Sequence, residues 1–222
     1  GWLRLYAWTP HCISFGAHEP ALRRYDRETI TGLGLDCVRR PTGGRAVWHA
    51  GELTYAVTAP LAAFGGLRAA YHEIHQTFGR ALGALGIETT AAPLPARSAG
   101  LATGACFAHA AGGELIAGGG KVLGSAQLAR GAAFLQHGSL LLSGTQDTIS
   151  RIARGGSSPA GDLALEKIAG RPVSFEEVAE AVADAALSWP GEWDNDTGDG
   201  ALHRLESQHA GQFRDPAWTW RR

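Results

Sequence analysis

The sequence predicts an α+β domain with a largely antiparallel sheet, and three observations predict it. Short runs of alternating polarity crowd the first two thirds of the chain, one long 3.6-residue repeat is set among them, and the helical patterns gather toward the end without regular βαβ alternation.

In "WLRLYAW", residues 2–8, Leu3 and Leu5 alternate with Arg4 and Tyr6, predicting a strand that Thr9 and Pro10 stop. "CISFG" follows as a second strand. "EPALRRYD", residues 19–26, predicts a short helix with Pro20 in its first turn, where the missing N–H costs nothing. Cys37–Arg39, Ala46–His49 and Leu53–Val57 read as strands around a glycine turn. Leu67, Tyr71, Ile74, Phe78, Leu82 and Leu85 recur every three or four residues and predict a helix that Gly86 ends. Residues 88–104, rich in Ala and Pro, read as a loop. Glu114–Ala117, Val122–Leu128 and Ala132–Leu142 read as strands, the last two a hairpin over Arg130 and Gly131. "TQDTISRIA" predicts a helix and "GGSSPAGD" a loop. A second long helix starts at Ser174, whose hydroxyl with Glu177 three residues on makes a capping box. The expected organisation is a main domain over 1–190, a Gly- and Asp-rich linker over 191–200, and a C-terminal helix and aromatic tail over 201–222 packing on the same domain.

At 222 residues the chain buries one substantial core, and two full domains are not expected. Twenty Lys and Arg against twenty-one Asp and Glu leave no global field for nucleic acid or an anionic membrane. Apolar runs are broken well short of the roughly 20 residues that a membrane span needs. Three cysteines, Cys12, Cys37 and Cys106, without CxxC spacing, argue against a disulfide framework or a zinc site and point to a reducing cytoplasm. The scattered histidines offer no metal-ligand spacing. A monomer with no nucleic-acid, membrane or metal partner is expected. The chain starts at Gly1 and contains no methionine, so part of the natural start is expected upstream.

Three motifs can carry chemistry. In "RRPTGGRAVWH", residues 39–49, Gly43 and Gly44 can reach positive φ and bring bare backbone to a ligand. Arg39, Arg40 and Arg45 around them suit a carboxylate, a thioester oxygen or a phosphate; a glycine hairpin with solvated arginines explains the same residues. The pattern is neither GxGxxG nor GxxxxGK[ST]. In "GGGKVLGSAQ", residues 118–127, Lys121 either neutralises an anion or is simply exposed. In "TGACFAH", residues 103–109, Cys106 is either a buried apolar thiol or, beside a cation, a nucleophile.

"RRPTGGRAVWHAGELTYAV", "CFA", "GKVLGSAQ" and "LQHGSLLL", in this order, resemble the biotin/lipoate ligase and acyltransferase family, most closely its cysteine-dependent octanoyltransferases of lipoate assembly. The resemblance covers residues 2 to about 152 and returns at "DPAWTWRR". It implies a mixed sheet flanked by helices, similar to the catalytic domain of biotin ligases and class II synthetases, with a further helix before Gly1. It implies that Cys106 takes an octanoyl group from octanoyl-acyl carrier protein and passes it to a lysine of a lipoyl domain or glycine-cleavage H protein, with Lys121 steadying the oxyanion and no cofactor. Arg39, Arg40, Thr42, Gly43 and Gly44 would frame an acyl slot, Gly124, Ser125 and Ala126 would line its wall, and His49 and His137, with Gly138, would sit inside matched motifs. Arg45 stands where lipoate ligases usually carry a third glycine and would crowd an adenylate path. Relatives commonly carry Asp where Ala50 stands. An ATP-dependent lipoate ligase, using ATP and Mg, and a non-enzymatic acyl-binding protein of the same fold, to which Ala50 points, are the competing readings.

Overall fold

The computed structural model describes residues 1–92, 114–155, 163–195 and 201–221. A six-stranded antiparallel sheet has the order β1-β5-β9-β8-β7-β6, built from β1 (Trp2–Tyr6), β5 (Glu52–Pro60), β6 (Thr90–Ala91), β7 (Leu115–Ala117), β8 (Gly120–Arg130) and β9 (Ala133–Leu141). A second sheet has the order β3-β2-β4, from β2 (Cys12–Phe15), β3 (Asp36–Arg39) and β4 (Val47–His49). The mixed, largely antiparallel α+β fold is therefore as expected, but its strands divide between two sheets.

β2 and β3 run parallel, joined through α1 (Ala21–Arg24) and α2 (Arg27–Gly32), so a small crossover unit sits inside the antiparallel frame. The pattern "EPALRRYD" predicts one helix that ends at Asp26. That aspartate instead begins a second helix, its carboxylate accepting from the Glu28 amide and the Thr29 hydroxyl.

The large sheet buries one face against α3 (Leu67–Ala84) and α6 (Phe175–Ala186). Ile74, Phe78 and Leu82 of α3 and Val178 and Val182 of α6 meet Leu53, Tyr55 and Val57 of β5 in this core. The Ser174 cap forms as expected, its hydroxyl accepting from the Glu177 amide at 3.1 Å. The hairpin over Arg130 and Gly131 also forms, with Gly131 at φ +60°. A smaller core under the second sheet joins Ile13, Phe15, Tyr25 and Ile30 to Ile149 and Ile152 of α4 (Asp147–Ile152). The short helix α5 (Leu165–Ala169) was not anticipated. The C-terminal segment forms α7 (Ala201–Arg214) and α8 (Pro216–Thr219), which touch β3. No helix among the described residues is long and apolar enough to cross a membrane.

Candidate active site

Strand β5 has two buried faces, and this places the site. Leu53, Tyr55 and Val57 point into the α3 core, so the alternating residues Glu52 and Thr54 point the other way, yet they are only 5% and 2% exposed. Register extends that second face across the sheet: Tyr6, Thr54, Ser139 and Gly124 form one row. His137 and Ala126 pair in the next. The three-stranded sheet covers this face, and between the two lies a cavity of about 330 Å³. Its described lining includes Arg39, Arg40, Gly44, His49, Gly124, Ser125, Ala126, His137 and Gly138, all anticipated from sequence.

Gly138 faces the core behind the wall, beside Tyr55 and Ser125. A Cβ there would fall 2.3 Å from the Gly124 carbonyl oxygen and 2.6 Å from the Tyr55 ring, so no larger residue fits the present packing. Behind the wall, Ser125 Oγ lies 2.7 Å from Tyr55 Oη and 2.8 Å from His75 Nε2. Gln127 and Gln136 continue this network, 2.8 Å apart.

The arginines are used differently from the expectation. Arg39 is fully buried, and its guanidinium donates to the carbonyls of Gly16 (2.6 Å), Glu19 (2.9 Å), Thr219 (2.9 Å) and Arg221 (2.9 Å). Arg40 donates to the carbonyls of Ser14, Gly43 and Arg45. These guanidinium groups organise backbone carbonyls, which corrects the expectation that they stand open to receive cargo at a slot mouth. The reason is that the β2–α1 loop and the segment around α8 each present several carbonyls at once, and a guanidinium has five donors to satisfy them. Among the described residues, Thr42, Gly43, Arg45 and Lys121 lie outside the cavity lining. Thr42 instead fixes the turn to the large sheet, its Oγ1 2.6 Å from His137 Nε2. Arg45 is half-buried just ahead of β4.

Lys121 is buried, with Nζ 2.8 Å from Glu114 Oε2. Register slips where Leu115 pairs with Leu123 but Ile116 with Lys121, a bulge that breaks the alternation just ahead of Gly124. Cys106 and His109 lie outside the described residues, as does Arg222. Cys12 and Cys37 are free thiols whose burial pushes them up to about 12, so they remain protonated.

Sequence reasoning missed a polar chain in this cavity. His49 Nδ1 lies 2.5 Å from Glu52 Oε1, and the hydroxyls of Thr54 and Ser139 donate to the same carboxylate. His49 Nε2 lies 2.7 Å from Ser14 Oγ. Trp8 stacks on the histidine ring with centroids 4.5 Å apart and donates its indole N–H to Thr54. The missing carboxylate at Ala50 thus has a counterpart at Glu52, three residues after His49. The available signal was the polar half of "GELTYAV", which reads as a solvent face when only one side of a strand is assumed buried. Phe213 of α7 also reaches the cavity. Burial lowers the His137 imidazole to about 3, aided by the charge of Arg40, so it is neutral at ordinary pH. Among the described residues no cluster of three or more His, Cys, Asp or Glu could hold a metal ion.

A family model described as the lipoyl protein ligase A/B catalytic domain matches residues 2–187. The octanoyltransferase LipM of Moorella thermoacetica is 36% identical over 192 residues, covering 83% of this chain and 69% of the relative. The octanoyltransferase LipM of Exiguobacterium sibiricum is 33% identical over 250 aligned residues, covering 99% and 87%. The crystal structure of lipoate-protein ligase A bound with ATP superposes with a TM-score of 0.74 at 19% identity, covering 98% of this chain and 85% of that one, a likeness of fold.

Proposed function

We infer that this chain, which belongs to the lipoyl protein ligase A/B catalytic domain family, is an acyltransferase that moves octanoyl groups in lipoate assembly. The observation that carries this reading is its identity of about a third with octanoyltransferases over most of its length, and the Gly124 and Ala126 wall is compatible with an alkyl chain.

The donor is octanoyl-acyl carrier protein and the acceptor a lysine of a lipoyl domain or H protein. The Cys106 thiolate attacks the donor thioester; a new acyl–sulfur bond forms as the carrier's thiolate leaves and takes up a proton. The acceptor amine then attacks that acyl-cysteine, an amide forms and the thiol is regenerated. Thioester exchange is nearly balanced and amide formation drives the cycle, so no ATP is consumed. Lys121 steadies the oxyanion in both steps, with Glu114 2.8 Å from its Nζ as the partner that holds it in a buried position. Mass spectrometry tests the reading. Mixing with octanoyl-acyl carrier protein should add one octanoyl group, and Cys106→Ala should abolish it. Acylation that appears only with free octanoate and ATP would overturn the carrier-protein donor.

A further inference from the structure

We infer that Ser14, His49 and Glu52 form a proton relay for the amine that receives the acyl group, in which Glu52 is a positioning residue that fixes His49 with its proton on Nδ1. The inference rests on the acyl-transfer reading above.

Proton directions along this chain are determined by its ends. The Glu52 carboxylate already accepts the Thr54 and Ser139 hydroxyls, and it lies 2.5 Å from His49 Nδ1, which must therefore donate. In the neutral ring this leaves the lone pair on Nε2, 2.7 Å from Ser14 Oγ. Arg40 Nη1 donates to that same Oγ at 3.0 Å, so the serine's own proton turns to Nε2. The order is Arg40 to Ser14 to His49 to Glu52. The stacked Trp8 ring, inclined by 22°, keeps the imidazole from tilting out of line. Ser14 and His49 both line the cavity, and Glu52 lies behind them, almost fully buried. The arrangement has the logic of a base held in one tautomer by a buried carboxylate.

An acceptor lysine has an ordinary pKa near 10.4, about three units above neutral pH, so it arrives as an ammonium without a lone pair. In the relay the ammonium gives one proton to Ser14 Oγ while Ser14 passes its own to His49 Nε2, and the imidazolium that forms faces the Glu52 carboxylate before releasing the proton to solvent. The freed amine forms the C–N bond, the C–S bond breaks, and the second nitrogen proton goes to the departing thiolate. Among the described residues, the other ionisable groups facing the relay stay in one state near neutral pH. His137 on β9 is neutral, Arg40 is charged, and burial holds Tyr6 on β1 and Cys12 on β2 up at about 12.

The two half-reactions are measured separately, with octanoyl-acyl carrier protein as donor and an isolated lipoyl domain or hydroxylamine as acceptor. Hydroxylamine is already an uncharged amine at neutral pH. In Glu52→Gln and Ser14→Ala, transfer to the lipoyl domain at neutral pH should slow at least about a hundred-fold, the lower end of what a general base contributes. That deficit should shrink as pH rises toward the lysine pKa, while the acyl-enzyme still forms and its discharge by hydroxylamine slows far less than its discharge by the lipoyl domain. Equal slowing with both acceptors, or no slowing with either, overturns the relay alone. A wild-type chain that never becomes acylated removes the underlying reading, and the relay with it. If Glu52→Gln does not fold, Ser14→Ala, which deletes one hydroxyl, carries the same comparison.

Discussion

Arg40 Nη2 donates to the carbonyl of Arg45 at 2.6 Å, so this arginine closes the turn that follows it. The same nitrogen reaches the Gly43 carbonyl at 3.0 Å, and the guanidinium fills the bowl of its own loop. Gly44 adopts φ +96°, and a Cβ there would lie 2.7 Å from Arg40 Nη2. Gly44→Ala therefore combines an unfavourable backbone region with displacement of a bonded guanidinium. It should cost about 1–3 kcal/mol, read as a fall in the thermal midpoint. Arg40→Lys should lower the midpoint in the same direction, because an ammonium keeps the charge but loses the fork.

How far this was legible in the sequence depends on whether a residue's partner lies nearby along the chain. The α3 period, the Ser174 cap and the Gly131 hairpin involve short-range spacing, and all three formed as expected. The small residues of the cavity wall were legible through ordered motifs, since Gly124 and Gly138 come together only because β8 and β9 pair. What sequence could not supply was which face of β5 meets a second sheet, so nothing in "GELTYAV" marks Glu52 and Thr54 as part of a site. Arg39 was misjudged for a similar reason: two of its carbonyl partners, at Thr219 and Arg221, lie some 180 residues away.

Arg39 ties three separate segments into the wall of the site. Its guanidinium serves the β2–α1 loop and the C-terminal tail, while its own carbonyl accepts from Trp218 Nε1 at 2.9 Å. Arg39→Leu should cost on the order of 3 kcal/mol, since several buried carbonyls lose a charged donor together. Limited proteolysis should cleave the tail after α7 faster in the variant than in wild type.

Ala126 lies on the cavity wall beside Gly124 and opposite His137. Ala126→Leu places bulk where the alkyl chain is proposed to lie. Each methylene kept out of the cavity forfeits about 0.8 kcal/mol, or about fourfold in kcal-to-rate terms. Transfer of octanoyl should fall relative to transfer of butyryl, with the folding midpoint little changed. Competition between the two donors, read by mass of the acylated acceptor, checks the ratio.

His137 makes stability depend on pH with a definite sign. The folded protein holds its imidazole down at about 3, against 6.5 for an unhindered histidine, through burial and the nearby charge of Arg40. Between those two values the unfolded chain binds a proton that the folded chain does not, so acid favours unfolding. The contribution of the neutral ring is complete above about pH 6.5 and is lost progressively as pH falls toward 3. His137→Gln keeps a polar side chain opposite the Thr42 hydroxyl without a titrating ring. Denaturant midpoints of the two proteins, measured from pH 7 down to pH 4, should therefore diverge, with wild type losing stability more steeply. Parallel curves would show that the ring is not held neutral at the junction of the glycine turn and the large sheet.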